Sequence, residues 1–393
     1  MNEMKRPDQA PRSSKRSGCK SAILLLTVSA VCFGLAEFVA RGLPKNYYEW
    51  KHRYMFISEG VNTNKTFADG TSAQWYKPNS AINWHVFYGY PGQKPKAEYS
   101  IWSTTNNIGL VQSRDFNPTK KSIAVFGDSF TEPQATTPWF YNLENDWGTN
   151  PQSSDTQLLN FGYQGTGIGR WDQISKNLSE GLNIKKAIYV VIGQDFARLN
   201  RGGWNDQDLQ CLSDSEQCRK HYYQSIAGNK QSEEELTDRA SNLMNKRHRT
   251  LDKRLRYGLC GKSELIRQIS SIIGTPCFDG KSPTQYQKDL KQAVGHGLAH
   301  FRDHIDLYGK ENVGLVWIPE RNEAATGQIS PISKKALNVA NNLLPNGHVI
   351  KCDLNSGDYY EKDGHQNERG SNKIYKCTSQ MLSQITSQSS KKN

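Results

Sequence analysis

Five short β-rich runs set among helical patterns constrain the fold of this chain more than any other feature. They occupy residues 122–126, 158–161, 187–192, 313–318 and 349–350. Each is brief and almost wholly apolar, as expected of strands buried on both faces. Helical patterns fall between them, for example at 169–179 and 333–344. Such alternation predicts an α/β fold: a three-layer α/β/α sandwich around a parallel sheet. All five runs lie within 121–385, so a single domain takes them all, with a helical insertion at about 200–285.

The first run leads directly into Gly127-Asp128-Ser129-Phe130. This places Ser129 at the carboxyl end of a strand, where open α/β sheets bind ligands. A serine there is a candidate nucleophile if a base reaches it. The competing reading makes Asp128 and Ser129 a cap on the next helix. More than two hundred residues later comes Asp363-Gly364-His365. A histidine beside a carboxylate is what such a serine needs, because the imidazole takes the proton and the acid fixes its tautomer.

Residues 127–132 (GDSFTE) and 363–370 (DGHQNERG) resemble the first and last sequence blocks of the SGNH/GDSL hydrolase family. The resemblance implies a flavodoxin-like sandwich, with Ser129 as nucleophile, His365 as base and Asp363 as its orienting acid. Residues 158–167 (LLNFGYQGTG) are similar to the second block, whose glycine offers a backbone N–H to the oxyanion. Position assigns that role to Gly165, with Gly162 as competitor. Glycine suits the task because the backbone must approach the reacting carbonyl closely. The third block, residues 187–195, carries Gln194 where the family usually has asparagine. Gln194 keeps an amide donor but is one methylene longer, and losing such a donor costs roughly 10²–10³ in turnover. The implied oxyanion set is therefore Ser129, Gly165 and Gln194, and Asp195 reads as structural.

What the family implies is hydrolysis of an acyl ester, with an O-acetyl group on a cell-envelope glycan or lipid as the expected substrate class, no cofactor and no metal. Two rivals stand beside it. One is an O-acyltransferase supplied by an acyl-donating membrane partner. The other is a catalytically inactive binding or scaffold protein, motivated by Gln194.

The amino-terminal end bears on location. Residues 1–20 carry six basic side chains against two acidic ones, and residues 21–40 are almost wholly apolar, with Glu37 the one charge. A helix of that length spans about 30 Å, the thickness of a hydrocarbon core. The positive flank belongs on the cytoplasmic side. These features predict a cytoplasmic tail (1–20), a signal anchor (21–41) in a bacterial inner membrane and a periplasmic remainder. Gly34-Leu35-Ala36 leaves a cleaved signal peptide as the alternative.

Six cysteines follow the anchor, and an even number on an exported segment suggests disulfides. Sequential pairing gives Cys211–Cys218, Cys260–Cys277 and Cys352–Cys377, the last bracketing Asp363 and His365. Residues 42–120 are dense in aromatics, among them Tyr76, Trp84, Tyr99 and Trp102, and read as an extension that packs on the core. Within the insertion, Ser232 and Glu235 have capping-box spacing, opening a helix with a Leu236, Ala240, Leu243, Leu251, Leu255 stripe. Its basic face, Arg249 and Lys253 included, reads as solvated. The net charge of +12 does not imply nucleic acid, since the tail alone accounts for four of it (six minus two) and no nucleic-acid motif occurs. His296, His300 and His304 recur every four residues, a spacing at which two can hold zinc when a third ligand joins. The HExxH glutamate is absent, however, Gly295 and Gly297 weaken the helix, and surface histidines are the expected reading. Residues 386–393 form a polar tail.

Overall fold

A computed structural model describes residues 17–43, 52–58, 62–66, 72–89, 94–132, 138–198, 225–226, 232–247, 263–273, 283–361 and 363–387. The strands are β1 (His52–Ser58), β2 (Asn62–Thr66), β3 (Ser72–Tyr76), β4 (Ala81–Gly89), β5 (Lys96–Thr104) and β6 (Lys121–Gly127). They continue with β7 (Thr156–Gly162), β8 (Ile184–Val191), β9 (Ser225–Ile226), β10 (Val313–Trp317) and β11 (Val349–Lys351). The first helices are α1 (Ser17–Gly42), α2 (Trp139–Thr149), α3 (Ile168–Leu178), α4 (Glu233–Arg247) and α5 (Glu264–Ile273). The remainder are α6 (Pro283–Tyr308), α7 (Arg321–Thr326), α8 (Pro331–Leu343) and α9 (Glu368–Ser387).

The five runs read from the sequence are β6, β7, β8, β10 and β11. They form one sheet in the order β11-β10-β8-β6-β7, every pair parallel. By order of appearance this is 2-1-3-4-5 read from the other edge, the flavodoxin-like winding. Strand order reverses between β6 and β8, so the carboxyl ends of those two strands flank the crevice where such sheets bind ligands. Register sets Gly127 level with Gly162 of β7 and Val190 of β8, and the three motif-bearing loops leave the sheet at one height.

Alternation along the strands builds the two helical layers. Ala124 and Phe126 of β6 face one side with Tyr189, against Trp171 of α3, Phe301 and Ile305 of α6 and Leu337 of α8. Ile123 and Val125 face the other with Ile188 and Val190, against Phe140 and Leu143 of α2 and Ile374 and Met381 of α9. His304 belongs to the first layer, its ring 5.3 Å from that of Tyr189 and 6.4 Å from that of Phe126. The expectation of surface histidines therefore fails for His304, which is 1% exposed. Its helix face is turned to the sheet.

The aromatic extension has an order of its own that the sequence reading did not foresee. Strands β5, β4 and β1 form an antiparallel sheet with the short β9 at its edge, and β2 pairs with β3. Ile82, Trp84 and Val86 of β4 and Tyr99 and Ile101 of β5 point to one face, where they cluster with Tyr163 from the loop after β7. The extension thus packs directly on a motif-bearing loop.

In α4, the Ser232 and Glu235 side chains exchange hydrogen bonds with each other's backbone N–H, as the capping box predicts. Leu251, Leu255, Arg249, Lys253 and the four cysteines Cys211, Cys218, Cys260 and Cys277 lie outside the described residues.

The described residues 17–43 and 263–273 belong to a second unit. Residues Ser21–Gly42 of α1 are long and apolar enough to cross a membrane, with a mean hydropathy of 2.2 over their most apolar 18 residues. Near its end, Glu37 accepts hydrogen bonds from the Glu264 and Leu265 N–H groups at 2.9 and 3.0 Å. A carboxylate there satisfies donors that the first turn of α5 would leave open.

Candidate active site

Residues 128–132 turn sharply after β6. A side chain at Gly127 would meet Thr131 Oγ1 at 1.9 Å and the Val190 carbonyl at 3.0 Å, so only glycine fits. Asp128 does not cap a helix. Its Oδ1 accepts from the Phe130 N–H at 2.9 Å, closing a local turn, and α2 begins only at Trp139. Its Oδ2 accepts from Arg198 at 2.7 Å, and the same guanidinium nitrogen also serves Asp195 at 2.7 Å. Burial, with Asp128 nearby, pushes the Asp195 carboxyl well above its ordinary range, against the pull of Arg198. Asp195 also accepts from the Ile192 N–H. Its role is to hold the loop after β8 to the loop after β6.

Ser129 Oγ lies 2.6 Å from His365 Nε2, and His365 Nδ1 lies 2.7 Å from Asp363 Oδ1. The carboxylate only accepts, so Nδ1 carries the proton and Nε2 is left to accept from Ser129. All three residues are buried. The spacing along the chain is 236 residues, and the loop bearing His365 is fastened at several points. Gln366 Nε2 and Trp139 Nε1 both donate to the Phe130 carbonyl, at 3.0 and 2.7 Å. The Phe130 ring lies 5.3 Å from the imidazole. Gly370 brings α9 against residue 358, where a side chain would meet the Asp358 carbonyl at 2.3 Å. A disulfide joins Cys352 to Cys377, with Cα atoms 5.9 Å apart, and spans this loop.

The oxyanion candidates separate on their hydrogen bonds. The Gly162 N–H donates to Asn160 Oδ1 at 2.9 Å and is spent. Gly165, at φ 65°, and Ser129 have no partner for their N–H groups among the described residues. Gln194 sits on a short 3-10 turn, Gly193–Ala197, and its amide donates to Glu320 Oε2 at 3.0 Å. One of its two N–H bonds is thereby committed.

Two groups were not legible from the motifs. The Tyr99 hydroxyl of β5 donates to Asp363 Oδ2 at 2.7 Å, and its ring stacks on Tyr360 at 4.3 Å. Glu132, fully buried, accepts from the Gln164 N–H at 2.6 Å and from the Tyr76 hydroxyl. Burial pushes its carboxyl up to about 8, opposed by that N–H and by Arg170. Both partners come from the aromatic extension, Tyr76 from the β2–β3 pair and Tyr99 from the larger antiparallel sheet. Only Glu132 carried a sequence signal, as the last residue of GDSFTE.

This arrangement can activate a serine hydroxyl, store its proton on a fixed imidazole and receive negative charge on two free backbone N–H groups. No family model and no curated protein matches the chain. Among solved structures, a lipase, Lip_vut3 from a goat rumen metagenome, aligns with 66% of this chain and 96% of its own, at 10% identity and a TM-score of 0.30.

Proposed function

We propose that the chain is a membrane-anchored serine esterase of the SGNH/GDSL type, cleaving acyl esters outside the inner membrane. The expected substrate class is an O-acetyl or other acyl ester on a cell-envelope glycan or lipid. The observation that carries this reading is the continuous Ser129–His365–Asp363 relay at the switch point of a parallel sheet, with contacts of 2.6 and 2.7 Å.

Ser129 Oγ attacks the ester carbonyl carbon while His365 Nε2 takes its proton, and Asp363 holds the imidazolium. The carbonyl electron pair moves onto oxygen, which the Ser129 and Gly165 N–H groups receive, joined by the free N–H of Gln194. Collapse breaks the bond to the alkoxy oxygen, which leaves with the proton from His365. Water then repeats the sequence against the acyl-serine and restores the enzyme. An acceptor sugar hydroxyl in place of water would make the same site a transferase.

The test uses the full chain in detergent with p-nitrophenyl acetate, beside Ser129→Ala. Turnover and fluorophosphonate labelling present in the first and lost in the second support an esterase. A folded wild-type protein with neither property removes it. Acyl transfer to an added glycan that outpaces hydrolysis shifts the assignment to the transferase.

A further inference from the structure

The geometry points to a divalent-metal site of zinc type, built from Asp172 on α3 and His300 and Asp303 on α6, with His304 as a further imidazole against the other oxygen of Asp172, on the side of the sheet that carries α3. Helical spacing puts His300 and His304 on one face of α6, and α3 presents Asp172 opposite them. His300 Nδ1 lies 3.1 Å from Asp172 Oδ2, and His304 Nε2 lies 3.2 Å from Asp172 Oδ1. The ligand atoms of Asp172, His300 and Asp303 fall within 4.8 Å of one another. A tetrahedral zinc with bonds of about 2.0–2.1 Å holds neighbouring ligand atoms about 3.3 Å apart. The His300–Asp172 separation already matches that spacing, and His304 meets the other carboxylate oxygen at a similar distance.

A second observation is independent of the cluster's composition. His304 Nε2, Asp172 Oδ1 and His300 Nδ1 are buried atoms with no hydrogen-bond partner, although they face one another at close range. The side chain of His304 is 1% exposed. Buried polar atoms are ordinarily paired, and one left unpaired is unfavourable. Donor atoms that converge without hydrogen-bond alignment are arranged as ligands of a shared cation are. The donor set, two imidazoles with carboxylates, suits zinc better than the all-oxygen preference of calcium or magnesium.

The competing cation is Lys176, whose ammonium lies 2.7 Å from Asp172 Oδ2 and 3.7 Å from Asp303 Oδ2. It is half-exposed and free to swing into solvent when the ion enters. The metal would then clamp α6 to α3, the helix that starts directly after the loop holding Gly165. Its role is structural, and it is separate from the ester chemistry.

The experiment strips the full-length protein in detergent with a chelator and adds zinc chloride, reading bound zinc per chain by mass spectrometry and the melting temperature. One equivalent retained through desalting, with a raised melting temperature, is the expected result. His300→Ala, on a partly exposed side chain, loses that equivalent while still melting cooperatively. Lys176→Met retains it and binds more tightly, and His296→Ala, altering a nearby exposed histidine, changes nothing. Failure of the wild type to retain zinc, or retention by His300→Ala equal to wild type, overturns the site.

Discussion

The hydroxyl of Tyr99 reaches Asp363 Oδ2 at 2.7 Å across 264 residues of chain. The antiparallel sheet is therefore joined to the acid of the catalytic relay. Tyr99→Phe keeps the stack on Tyr360 and removes only this bond. It should lower kcat on p-nitrophenyl acetate roughly tenfold with KM little changed, equivalent to about 1.4 kcal/mol. An unchanged kcat would separate the extension from the chemistry.

In the proposed mechanism His365 and Ser129 serve one step, so their losses should not add. His365→Ala is expected to cost about 10²–10⁴ in kcat. The double variant with Ser129→Ala should be no slower than Ser129→Ala alone, because non-additivity marks groups serving one step. Multiplicative losses in stopped-assay rates would contradict the relay.

Gln194 donates one amide N–H to Glu320, and in the proposed mechanism the other serves the developing oxyanion. Gln194→Ala should lower kcat by roughly 10²–10³ and leave KM nearly constant, the pattern of a contact made in the transition state. A drop of only a few-fold would leave Ser129 and Gly165 as the whole oxyanion site.

Glu132 gives stability a particular pH dependence. Its carboxyl is raised from an ordinary 4.5 to about 8, so the folded protein binds more protons than the unfolded chain between those values. Stability contributed by the protonated group is complete below about 4.5 and is lost as pH climbs through about 8. Glu132→Gln mimics the neutral form. Its melting temperature should gain on wild type steadily across that window, and parallel curves would show that Glu132 does not titrate there.

The Cys352–Cys377 bond closes a loop of 25 residues around Asp363 and His365. Replacing both cysteines by alanine should cost about 3.5 kcal/mol in the chain-entropy model. Denaturant unfolding of the full chain with and without reductant measures this. A wild type indifferent to reductant would show that the bond adds no stability.

The buried strands of the parallel sheet were readable because each is a short apolar run, and burial on both faces leaves no other pattern. Ser129 and His365 were readable because a strand-end glycine and a histidine next to aspartate have few other uses in combination. Glu132 stood in plain view within GDSFTE, yet its task became clear only beside Tyr76 and Gln164, which local order does not bring near. Position along the chain preferred Gly165 to Gly162, but only coordinates supply the physical reason, that Asn160 consumes the Gly162 N–H. Tyr99 carried no mark at all among a dozen similar aromatics.

Local chemistry along the chain thus specified the strand set, the apolar amino-terminal helix, and the serine and histidine that the fold brings into contact. Burial and periodicity are properties of neighbouring residues, and they survive without knowledge of the fold. Which tyrosine meets which carboxylate, and which histidine turns inward toward Asp172, depend on elements far apart in the chain that pack together only when their apolar faces leave water. Those contacts were settled by packing.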